Sequence, residues 1–139
     1  MKTAEDQSIS GALHKALYQG TLAAAFQHAI AHLENLDRSS VAATADAATL
    51  RRRLARPLTN DGVPAEQVVN ELAEDAREGI IGSAGGRFYG WVIGGAVPAS
   101  LGADWLTSAW DQNGALYATS PAAAIVEEVA GAWLKDVLR

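Results

Sequence analysis

Between Gly82 and Gly95 the sequence reads GSAGGRFYGWVIGG, six glycines among fourteen residues, and this cluster constrains the rest of the chain more than any other feature. Each glycine inside a helix is unfavourable by about 1 kcal/mol relative to alanine, so a helix cannot run through the cluster. The intervening Phe88, Tyr89, Trp91, Val92 and Ile93 are aromatic or β-branched and suit extended backbone. The stretch therefore predicts an extended segment with tight backbone contacts, set in a chain whose remaining patterns are helical.

Those patterns are spaced for amphipathic helices. From Ser8 to Leu36, apolar residues fall at Ile9, Leu13, Leu17, Leu22, Phe26, Ile30, Leu33 and Leu36. Gly20 interrupts the run, which predicts either a kink or two shorter helices. Asp37 to Ala43 reads as a loop. A short helix from about Thr44 to Ala55 is closed by Pro57, which lacks an amide donor and biases Arg56 away from helical geometry. Asn60-Asp61-Gly62 is a turn signal, and Pro64 suits the first turn of the next helix. Val68, Val69, Leu72, Ala76 and Ile80 are that helix's expected buried stripe. Glu66, Glu71, Glu74, Asp75 and Glu78 are its expected solvated face. Pro98 opens another helix, with Leu101, Trp105 and Ala109 on one face and Leu106 and Trp110 beside them. Asp111 to Thr119 reads as a connecting loop. Ser120 is an expected N-cap with Pro121 at the first helical position, and Ile125, Val126, Val129, Trp133, Val137 and Leu138 line the last helix.

At 139 residues the chain is expected to be one domain or a piece of one. A compact monomer of this size keeps roughly 6,900 Å² of surface, enough to enclose a core. With 49% hydrophobic and 19% charged residues the composition is globular, and no apolar run reaches the ~20 residues of a membrane span. The opening MKTAEDQS lacks the apolar region of a secretory signal, and the chain has no cysteine, so disulfides and thiolate sites are excluded. A cytoplasmic setting is expected. A net charge of -5 opposes nucleic-acid binding. The basic run Arg51, Arg52, Arg53 and Arg56 reads as a solvated face opposite Leu50 and Leu54.

Few motifs carry chemistry. His28 and His32 stand four apart on the first helix, a spacing that can share a metal ion, but alanine stands where a zinc protease needs glutamate and no third ligand is marked. Two exposed histidines are the expectation there. Gly82 to Gly86 lacks the lysine and spacing of a phosphate loop. Asp104 and Asp111 are acid–base candidates by residue type, and Asp104 is expected to satisfy a neighbouring donor.

The segment RFYGWVIGG, followed by ADWLTSAWDQN and SPAAAIVEEVAGAWL, resembles the N-terminal region of the group II pyridoxal-phosphate-dependent amino-acid decarboxylases. The resemblance runs from about Gly62 to Leu138, and the earlier helices fit the family's N-terminal arm more loosely. It implies a mainly α fragment, comprising the N-terminal helical arm (residues 1–62) and the start of the large domain (63–139) of a fold type I α/β enzyme. Arg87-Phe88-Tyr89 matches the end of the family's HPxFF pattern, with Gly85-Gly86 in place of the histidine and proline.

The resemblance assigns a substrate-pocket wall to Trp91, Val92, Ile93, Gly94 and Gly95. It assigns a loop facing the partner subunit to Asn113, Ala115 and Tyr117. Pyridoxal phosphate would serve as the electron sink. The lysine, ring-stacking residue, pyridine-pairing acid and phosphate cradle are expected beyond Arg139, so neither a catalytic nor a cofactor-binding residue is expected here. His14-Lys15 is a false match to the family's cofactor lysine, because Ala12 stands where the family has aspartate, and Lys2 and Lys135 lack the context as well. The implied partners are an amino-acid substrate and a second subunit. The other reading from sequence is a non-enzymatic helical module for self-association, or for docking onto a decarboxylase, with Trp105, Trp110 and Trp133 exposed.

Overall fold

The structure is a computed structural model that describes the backbone of residues 4–139 and the side chains of 14–139. Ile9 and Leu13 of the first apolar stripe, and Lys2, therefore lie outside the described side chains. The described residues form five α-helices, one 3₁₀ turn and no strand: α1 (Ala4–Asn35), α2 (Ala47–Leu54), α3 (Ala65–Ala76), the 3₁₀ turn Arg77–Gly79, α4 (Pro98–Trp110) and α5 (Pro121–Val137). The chain is mainly α, and no described helix is long and apolar enough to cross a membrane. It divides into two units, residues 1–95 and 96–139. Gly62, where the resemblance draws its boundary, lies between α2 and α3 in the first unit.

In the first unit α3 packs against both α1 and α2. Helix α1 runs through Gly20 without a break. A Cβ at Gly20 would stand 2.8 Å from Oε2 of Glu66, so this glycine lies where the start of α3 comes close to α1. Helix α2 starts at Asp46, whose carboxylate accepts the Thr49 amide at 2.7 Å, and it ends before Pro57 as the proline dictates. Leu50 lies over Gly79, where an added Cβ would meet both Leu50 methyl groups at 2.8 Å. Glu78 O accepts the amides of Thr44 (2.9 Å) and Ala45 (3.1 Å), which ties the loop after α1 to the end of α3.

Polar contacts between α2 and α3 depart from the sequence reading. Arg53 donates to Glu78 at 2.9 Å, and Arg56 bonds Glu71 and Asp75 with its two terminal nitrogens. The arginine run and the acids of α3 are thus not two independent solvated faces. Helix packing turns one toward the other, which spacing along either helix alone does not show.

The expected buried stripes are not buried. Among the described residues no apolar side chain is buried. Val69, Ala76 and Ile30 are half-covered, while Val68, Leu72 and Ile80 are exposed. A helix in contact with one neighbour covers only part of an apolar face, and the remainder meets solvent.

In the second unit both helices start at prolines, as expected from fixed proline φ. Helix α4 ends at Asp111, which takes a left-handed conformation (φ 47°) and donates its amide to Thr107 O at 3.1 Å. Trp110 and Trp133 are 63% and 69% exposed, while Trp105 is half-buried.

Candidate functional site

The stretch assigned to a substrate wall begins with turns. Gly85 N donates to Gly82 O and Phe88 N to Gly85 O, both at 3.1 Å, so two successive turns carry the chain into Tyr89 and Gly90. Trp91 and Val92 then have φ of 62° and 55°, left-handed backbone that an L-residue, and a β-branched one above all, adopts at a cost. The extended segment expected from composition is therefore absent. Trp91 and Val92 bend the chain, while two of the glycines serve close approach: a Cβ on Gly95 would lie 3.2 Å from Ala84 O, and one on Gly82 3.3 Å from Ser40 O. Residues Trp91, Val92, Ile93, Gly94 and Gly95 are all exposed.

The second stretch, Asn113 to Tyr117, is held by its own polar atoms. Asn113 Oδ1 accepts the Ala115 amide at 3.2 Å, the pattern of an Asx turn, and Thr119 Oγ1 lies 2.9 Å from Asn113 O. The amides of Thr119 and Ser120 both donate to Leu116 O at 3.1 Å. The loop thereby walls a cavity of about 610 Å³ whose other side is one face of α5, bearing Glu127, Glu128, Gly131 and Lys135. Ala115 and Tyr117 line it, so two of the residues assigned to the partner-facing loop share a site with three charged residues outside the assignment. The signal for those residues was their spacing: 124, 127, 131 and 135 recur every three or four positions, on the face opposite the apolar stripe.

Ser120 departs from its expected capping role. Its backbone has φ -155° and ψ 81°, its side chain caps no amide, and its buried Oγ has no hydrogen-bond partner. Asp46, with ψ near the extended value, caps its helix as a serine at 120 was expected to do. Asp104 is exposed.

His28 and His32 open onto a cavity of about 590 Å³ at the C-terminal ends of α1 and α3, with Asn35, Glu74 and Arg77 also lining it. His32 is exposed, as expected, but His28 is half-buried and its Nε2 lies 2.8 Å from Asn70 Oδ1. Because Oδ1 can only accept, this nitrogen carries the proton. Among the described residues no group of three or more histidine, aspartate or glutamate side chains could hold a metal ion. In the glycine-rich loop two of the amides are already taken within the fold, Gly82 N by Val41 O at 2.9 Å and Gly85 N by Gly82 O.

The two lysines with described side chains stand in different surroundings. Lys15 is exposed on α1 beside His14, whose ring meets Tyr18 edge-on at 5.0 Å. Lys135 shares its cavity with two carboxylates, which oppose a phosphate. No family model, curated protein or solved structure matches this chain.

Proposed function

We propose that this chain is an N-terminal segment of a pyridoxal-phosphate-dependent amino-acid decarboxylase, without catalytic residues of its own. In this reading Trp91 to Gly95 form part of a substrate-pocket wall, and Asn113, Ala115 and Tyr117 belong to a loop facing a partner subunit. The walls would select the substrate side chain and exclude water, while the cofactor is held by residues of the family's later region. The observation that carries the reading is the exposure of apolar side chains, including Trp91 at 85% and Trp133 at 69%, with no buried apolar residue among those described. Such surface calls for more protein against it. A second reading, a non-enzymatic helical module for self-association, draws on the same observation in α5.

Two measurements test the first reading. Titrating the chain with pyridoxal phosphate is expected to leave the cofactor's absorption spectrum unchanged, and a stable lysine imine overturns it. Sequencing the genomic DNA beyond codon 139 is expected to reveal a histidine-lysine pair with aspartate two residues before the histidine. A frame that continues without that motif overturns it too.

A further inference from the structure

Helix α5 has two faces of different kinds. Ala124, Glu127, Glu128, Gly131 and Lys135 look onto the cavity walled by the loop of residues 114–117. On the other side Ile125, Val126, Val129, Trp133 and Val137 make a continuous apolar stripe, exposed between 41% and 81%. No helix pairing comparable to that of α1 with α3 joins α4 to α5. At about 40 residues the second unit is near the size below which a segment needs a disulfide, a metal or association to hold its fold. The chain has no cysteine, and its described residues offer no three-ligand metal group.

We infer that the α5 stripe pairs with the same stripe of a second copy of this chain, antiparallel and crossing at Val129. The inference rests on the self-association reading above and specifies its surface. The five side chains expose on the order of 600 Å² per chain, so full coverage in a symmetric pair sets an upper limit of about 1,200 Å², the lower bound of specific interfaces. The stripe is self-complementary in this register. Val129 meets its own copy, each Ile125 meets Trp133 of the second copy, and each Val137 meets Pro121.

Charge sets the direction. Glu127 and Glu128 lie on the cavity face and stay out of the contact. Asp136, two turns beyond Val129, lies on the line of the stripe near its end and is 3.9 Å from an Arg139 guanidinium nitrogen, so a parallel pair sets the two Asp136 carboxylates side by side, whereas the antiparallel pair places each beside Ala122. The helix dipoles also oppose favourably only when antiparallel.

The absence of native cysteine makes the test direct. Sedimentation velocity is expected to show a concentration-dependent dimer, weakened at least tenfold by Val129→Glu and unchanged by Glu127→Gln. Because a charged variant could unfold α5, single cysteines supply the second arm, with helicity checked by circular dichroism. Under mild oxidation Val129→Cys is expected to crosslink two chains, while Val137→Cys and Ala124→Cys are not. A monomer at all concentrations overturns the proposal and the self-association reading together, yet leaves the decarboxylase-segment reading standing. A dimer indifferent to Val129→Glu, or crosslinked equally through Ala124→Cys, overturns this surface alone. Crosslinking through Val137→Cys overturns the antiparallel register.

Discussion

His28 on α1 and Asn70 on α3 are 42 positions apart in sequence and share a hydrogen bond of 2.8 Å between Nε2 and Oδ1. Both residues are half-buried, so the bond joins the two helices where water reaches them only partly. Replacing Asn70 by alanine leaves the His28 proton without its acceptor and is expected to cost about 1 kcal/mol. A double-mutant cycle with His28→Ala, read by urea denaturation, should give a coupling energy of similar size. A coupling of zero shows that the pair does not join α1 to α3.

Asp46 should make the stability of α2 depend on pH. Its carboxylate accepts the Thr49 amide, and this hydrogen bond holds its pKa below the ordinary value of 3.8. The lowered folded value means that the stabilisation is fully present above about pH 3.8 and disappears as pH falls through the folded pKa. Asp46→Asn keeps an acceptor but cannot titrate. Comparing the two proteins by thermal melts across the acid range should show the wild type losing the larger increment, and parallel curves would contradict this.

Opposite signs are expected at Ser120 from sequence and from structure. A capping serine replaced by alanine costs about 1 kcal/mol. Here the hydroxyl is buried without a partner, so Ser120→Ala removes an unsatisfied group and is expected to stabilise the protein by about 1 kcal/mol. A melting temperature that falls in the variant returns Ser120 to the capping role.

Val92 carries its left-handed backbone with a fully exposed side chain, so truncating it sacrifices no packing. A β-branched residue in that region costs roughly 1–3 kcal/mol. Glycine there relieves the strain but returns roughly 0.5–1 kcal/mol in unfolded-state entropy. Val92→Gly is expected to gain about 1 kcal/mol net in chemical denaturation. A loss instead would mean that residue 92 is not held at positive φ.

The helices were legible because their signals are local. The prolines at 57, 98 and 121 mark helix ends where they were expected, since a fixed φ and a missing amide act on the residue itself and its neighbours. Asp111 to Thr119 was legible as a loop for the same reason, although not as one wall of a cavity. The residue types from Trp91 to Gly95 favour extended backbone, yet Trp91 and Val92 take left-handed φ. Propensity for strand expresses side-chain packing against neighbouring strands, and none is present among the described residues.

By itself the amino-acid sequence determined that this protein is mainly α, where most of its helices begin and end, and that no cysteine chemistry is open to it. Only the tertiary structure decided that Arg56 binds the acids of α3 and Arg53 that of the 3₁₀ turn after it, that His28 pairs with Asn70, and that Glu127, Glu128 and Lys135 share a cavity with Tyr117. The difference is one of range. Backbone stereochemistry and capping act within a turn of helix, whereas pairing across the fold depends on which faces two helices turn toward each other. Helix α1 meets α3 over a face the apolar spacing only outlines, and polar side chains such as His28, Asn70 and Arg56 find partners according to that rotation.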